Sequence, residues 1–68
     1  MLDLSIVKME RNGFLISVAD ENSALSVMLK DGMFYRNNGD VWYYDTFKRE
    51  FEERFGLDFI ETIKPFKL

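Results

Sequence analysis

The sequence predicts an α+β domain: a small, mainly antiparallel sheet of two hairpins and a C-terminal strand, packed with one or two helices in the order ββαββαβ. Three observations point there. Asn12-Gly13 and Asn38-Gly39 are turn dipeptides, and each is flanked by segments rich in β-branched or aromatic residues. Phe47, Phe51 and Phe55 recur every four residues ahead of Gly56, the spacing of one apolar helix stripe. Sixty-eight residues, 47% of them apolar, supply one core and not two, so residues 1–68 read as a single domain.

The first hairpin spans Ser5 to Ala19. A two-residue turn at Asn12-Gly13 pairs Arg11 with Phe14, Met9 with Ile16 and Val7 with Val18. That register places Val7, Met9, Phe14, Ile16 and Val18 on one face, opposite Lys8, Glu10, Ser17 and Ala19, with Ile6 and Leu15 as misfits. Asp20 to Asp31 has two readings. As a helix it offers Asp20, Asn22 or Ser23 as N-cap, a stripe of Ala24, Leu25, Met28 and Leu29, and Gly32 as a stop. As a strand it has Leu25, Val27 and Leu29 alternating with Ser26 and Met28. The agreement of cap, stripe and stop favours the short helix.

Met33 to Tyr44 reads as the second hairpin, with two registers open. A two-residue turn at Asn38-Gly39 pairs Tyr35 with Trp42, whereas a bulge at Gly39 pairs Phe34 with Trp42 and Tyr35 with Val41. Asp45 then caps a helix that Gly56 ends after about three turns. The segment from Leu57 to Lys64 mixes Phe59, Ile60 and Ile63 with polar residues and suits a final strand, which Pro65 would close. The expected core is Val7, Phe14, Ile16, Val18, Leu25, Leu29, Phe47, Phe51, Phe55 and Ile60.

Composition narrows the chemistry. The chain has no Cys and no His, which removes thiolate nucleophiles, disulfides, the commonest metal ligand and the usual general base. No two glycines fall close enough for a phosphate-cradling loop. Glu50, Glu52 and Glu53 are interleaved with Lys48, Arg49 and Arg54, the pattern of a solvated helix face and not of a cation site. The expectation is a non-enzymatic chain with no catalytic residues, no cofactor and no metal. The missing disulfides and the absence of a signal-like or membrane-spanning apolar run predict a cytoplasmic protein that does not enter membranes.

The aromatic surplus carries the functional expectation. Eleven residues are Phe, Tyr or Trp, and five of them, Phe34, Tyr35, Trp42, Tyr43 and Tyr44, fall in the second hairpin. Successive strand residues point to opposite faces, so both faces carry large apolar groups. The Phe47/Phe51/Phe55 stripe can cover one; the other needs the Asp20 to Lys30 helix or a partner. Tyr, Trp and Arg dominate binding hot spots, which marks Tyr35, Arg36, Trp42 and Tyr44 as contacts of a protein-binding module, an inhibitor or adaptor. The alternative is a single-stranded nucleic-acid or nucleotide binder that stacks bases on the same aromatics, against which the net charge of -3 argues. Free sheet edges and the aromatic face together favour a homodimer.

Overall fold

The computed structural model describes residues 2–66. Five strands, β1 (Asp3–Met9), β2 (Gly13–Ala19), β3 (Ala24–Lys30), β4 (Met33–Tyr35) and β5 (Val41–Trp42), form one antiparallel sheet in sequence order. Two helices follow, α1 (Tyr44–Phe55) and α2 (Phe59–Ile63), and the chain runs on into a 3-10 turn, Lys64–Phe66. The α+β class stands, but the order is five strands and then helices, not ββαββαβ.

The first hairpin differs from the expected register. Met9 pairs with Gly13 across a three-residue loop, Glu10-Arg11-Asn12, in which Arg11 and Asn12 take positive φ. Val7 therefore faces Leu15 instead of Val18, a slip of three residues. An odd slip turns every side chain of one strand to the other face. Leu4 and Ile6 pair with Val18 and Ile16 on the buried side, while Val7 and Met9 turn outward. The physical reason lies upstream of Ser5: Leu2, Leu4 and Ile6 alternate with Asp3 and Ser5, so the slipped register buries three apolar side chains and exposes an aspartate and a serine.

Residues 24–30 form a strand, not the favoured helix. The apparent helix cap is a hairpin turn: Asp20 Oδ1 accepts hydrogen bonds from the Asn22 and Ser23 amides at 2.8 Å each, and the Asp20 amide donates to the Ser23 carbonyl. The apparent helix stop is a second turn. Lys30 pairs with Met33 around Asp31-Gly32, whose φ values of 52° and 76° fit a two-residue hairpin turn with both central residues left-handed. Asp-Gly is a preferred pair there because aspartate tolerates that region and glycine enters it freely.

In the second hairpin Phe34 pairs with Trp42 and Tyr35 with Val41, the bulged register of the two left open. The Gly39 amide donates to the Arg36 carbonyl and the Arg36 amide to the Asp40 carbonyl, with Gly39 at φ 93°.

Helix α1 begins two residues earlier than the Asp45 cap implied. Tyr43 is the N-cap, without a side-chain cap bond, and Asp45 lies in the first turn, where its charge complements the helix dipole. Gly56 ends the helix in the left-handed conformation, donating its amide to the Glu52 carbonyl. Two i,i+4 ion pairs, Lys48–Glu52 and Glu50–Arg54, run along it at 3.2 Å.

The expected final strand is helical. Asp58 caps α2 by accepting from the Glu61 amide at 3.0 Å, and Glu52 Oε2 accepts from the Phe59 amide at 2.9 Å. That amide, and then the Lys48 ammonium, hold the Glu52 carboxyl below its usual range. A helix at this point sends Phe59 into the core and leaves Ile60 46% exposed, so Ile60 and Val7 both drop out of the expected core. Val27, Phe34 and Phe59 join Ile16, Val18, Leu25, Phe47 and Phe51 as its buried members; Phe14, Leu29 and Phe55 pack at its margin. Phe34 stacks on Phe47 with ring centroids 4.3 Å apart, and Phe59 meets Phe47 and Phe51 edge-on at 5.4 and 5.3 Å.

Candidate functional site

Both helices pack on one side of the sheet. Segment 24–30, which was expected to cover the other side, is itself the middle strand. Among the described residues nothing lies over that second face, and its side chains follow from the register. Across the strands from β1 to β5 run Val7, Leu15, Met28, Tyr35 and Val41, each paired with the next. Val7 is 52% exposed, Leu15 38%, Tyr35 36% and Val41 45%, with Met28 half-buried between its neighbours.

Alternation along the strands makes the rest of this face. On one side of the apolar row lie Met9, Lys30 and Met33. On the other side lie two rows of short side chains: Ser5, Ser17 and Ser26, then Asp3, Ala19 and Ala24. The five-membered row therefore stands as a ridge beside a shallow open trough of about 580 Å³ lined by those short residues together with Leu4, Val18 and Leu25. Within the trough the hydroxyls of Ser17 and Ser26 lie 3.5 Å apart.

The four residues expected to form one contact surface are divided by the sheet. Tyr35 stands on the open face. Trp42 pairs with Phe34 and so points to the helix side, partly buried, with its ring 6.4 Å from that of Phe47. Arg36 follows β4 and lays its guanidinium over Trp42 at 4.7 Å, and Arg54 approaches the same ring at 6.0 Å. The Arg36 Nε is buried there without a hydrogen-bond partner. Tyr44, in the first turn of α1, packs its ring on Phe59 and Phe34 at 5.6 and 6.5 Å yet keeps 43% of its surface exposed. Arg36, Trp42 and Tyr44 thus belong to the helix-side layer and Tyr35 to the opposite face.

Leu15, Met28, Val7 and Val41 were not among the expected contacts. A signal for them was present: Leu15 was a misfit in the expected register, and an apolar residue that fits neither face marks a register error or a two-sided strand. Of the carboxylates, Glu50 and Glu52 are engaged by Arg54 and by Lys48 with the Phe59 amide. Among the described residues no three acidic side chains gather as a metal site would require, and no helix is long and apolar enough to cross a membrane. Comparison with known proteins gives no lead to this face: no family model, curated protein or solved structure matches the chain.

Proposed function

We propose that this chain is a non-enzymatic protein-binding module, an inhibitor or adaptor, and that its partner docks on the open face of the sheet. The observation that carries the reading is the continuous row Val7, Leu15, Met28, Tyr35 and Val41, four of whose five members are more than a third exposed. With Met9 beside it, the row exposes on the order of 400 Å² of apolar surface, within the size range of the largest patch a monomer usually carries and often uses. Methionines suit such a face, because an unbranched, polarisable side chain adapts to the surface it meets.

The placement of Tyr35 supports this reading over base stacking. Phe34 and Trp42 turn inward, so Tyr35 is the one aromatic of strands β4 and β5 on the open face, and Lys30 its one cation among the rows described. A stacking platform needs successive rings and a basic groove.

Site-specific photo-cross-linking tests the proposal. A photo-reactive residue in place of Leu15 should give covalent adducts with protein in the cells that make the chain, and one in place of Arg49, on the exposed side of α1, should not. Equal yields at both positions, or adducts with nucleic acid alone, would refute it.

A further inference from the structure

We propose that β1 is a two-register strand: it slips by three residues along β2 into a second pairing closed by a two-residue turn at Asn12-Gly13, and the slip exchanges the side chains that β1 shows on the open face. Three observations carry this. The observed pairing sets Met9 opposite Gly13 and holds Arg11 at φ 61° and Asn12 at φ 63°, so the left-handed positions of the loop fall on an arginine and an asparagine. Gly13, the residue that enters that region freely, stands outside it at the first position of β2. None of the seven β1 residues is buried and the strand pairs with β2 alone, so its register depends on that pairing and on the half-buried Leu2, Leu4 and Ile6.

The terms that set the register oppose each other. In the observed pairing Leu4 and Ile6 lie on the core side opposite Val18 and Ile16. After the slip Val7 faces Val18 and Met9 faces Ile16, so two apolar side chains replace two, and Leu2 is the net loss. The turn favours the second register. An arginine held left-handed weighs about five- to thirty-fold against the observed one, whereas Asn-Gly is the pair that a two-residue hairpin turn prefers.

An odd slip turns β1 over. Ile6, Lys8 and Glu10 come to the open face opposite Ala19, Ser17 and Leu15, and Val7 and Met9 leave it. The apolar row then ends at Leu15 with a carboxylate beside it. If that row is the docking surface, a reading on which this consequence rests, the surface is complete only in the observed register, and a partner bound there holds β1 in place.

The chain has no cysteine, so engineered pairs report the register. Ser17→Cys is opposite Ser5→Cys in the observed pairing and opposite Lys8→Cys after the slip. In the observed pairing Lys8 faces Phe14, which lies three residues or ~10 Å along β2 from Ser17 and on the other face, beyond the ~7 Å Cα separation that a disulfide bridges. Each chain is checked for folding by circular dichroism and urea melts and then equilibrated in a glutathione buffer. Ser5→Cys/Ser17→Cys should close most readily. Lys8→Cys/Ser17→Cys should close at least about tenfold more than Lys8→Cys/Ala19→Cys, a pair opposed in neither register. Adding Gly13→Ala separates slipping from unfolding. Alanine there meets its nearest atom at 3.6 Å in the observed register but must take positive φ in the slipped one. It should therefore lower closure of Lys8→Cys/Ser17→Cys about five- to thirty-fold and leave Ser5→Cys/Ser17→Cys unchanged. Closure no greater than in the Ala19 pair, or indifferent to Gly13→Ala, overturns the proposal. Should a cysteine pair unfold the chain, methyl exchange NMR on the unsubstituted protein decides: exchange at Ile6 and Val7 that Gly13→Ala quenches supports the slip, and its absence overturns it. Leu15 cross-linking reads the docking surface separately. A slip without Leu15 adducts leaves the switch and removes what it regulates, and adducts without a slip leave the surface and remove the switch.

Discussion

Phe59 and Ile60 are neighbours in sequence and opposites in the fold, and truncating each to alanine tests which of the two faces the core. Phe59 is 1% exposed, with its ring against Phe47, Phe51 and Tyr44; Ile60 points outward with 46% of its surface in water. Removing a buried phenylalanine costs about 3 to 5 kcal/mol, because transfer energy and cavity formation add. Domains are stable by roughly 0.05 to 0.15 kcal/mol per residue, which for this length gives about 3 to 10 kcal/mol in total. Phe59→Ala should therefore remove a large part of the stability. With a urea slope near the small-protein value of about 1 kcal/mol per molar, its midpoint should fall by about 3 M, or the chain should be unfolded without denaturant. Ile60→Ala gives up only the half of its side chain that is covered, about 1 kcal/mol. Urea melts followed by circular dichroism and Trp42 fluorescence measure both. Equal losses, or a greater loss at Ile60, would refute the placement of Phe59 in the core and Ile60 outside it.

Three further substitutions probe the turns and the α1–α2 clamp. Gly32→Ala meets no neighbouring atom but is held at φ 76°, so it should cost about 1 to 2 kcal/mol in the same melts through backbone strain alone. Asp20→Ala removes two 2.8 Å hydrogen bonds from the β2–β3 turn and should destabilise by about 1 to 2 kcal/mol, a loss that Asp20→Asn largely restores. Glu52, whose carboxyl is held below its usual range by the Phe59 amide and then by Lys48, contributes stability above its unfolded-state pKa, and this is lost as pH falls through the lowered folded value. Glu52→Gln should therefore be less stable than the unsubstituted chain at neutral pH and converge with it in acid; a constant difference across that range would exclude the linkage.

How far the sequence disclosed this fold depended on how many neighbours each signal needed. The aromatic stripe with Gly56 and the bulge glycine Gly39 act within a few residues, and both were legible, although the Gly39 register had a competitor. The misreadings came where one local signal serves two structures. Asp20 followed by Ser23 caps a helix or closes an Asx turn, and Asp31-Gly32 stops a helix or turns a hairpin. Only the pairing of Leu25, Val27 and Leu29 with β2, and of Leu29 with β4, decides between them. Asp58 with Glu61 was a helix-start signal that the apolar content of the segment masked. The first register was set by Leu4 and Ile6 finding the core, a long-range preference that outweighed the Asn12-Gly13 turn. Of the expected contacts, Tyr35 stands on the open face, and Leu15 and Met28 beside it became visible only once that register was known.

The claim on which the function rests is that one face of the sheet is buried under the helices and the other is bare until a partner covers it. Methyl NMR with a soluble nitroxide measures this most directly, on the purified chain at low concentration. The methyl signals of Val7, Leu15 and Val41 should broaden strongly while those of Ile16, Val18, Leu25 and Val27 stay sharp. Sharp signals from Val7 and Leu15, or broadening of Ile16 and Val27 to the same degree, would contradict it.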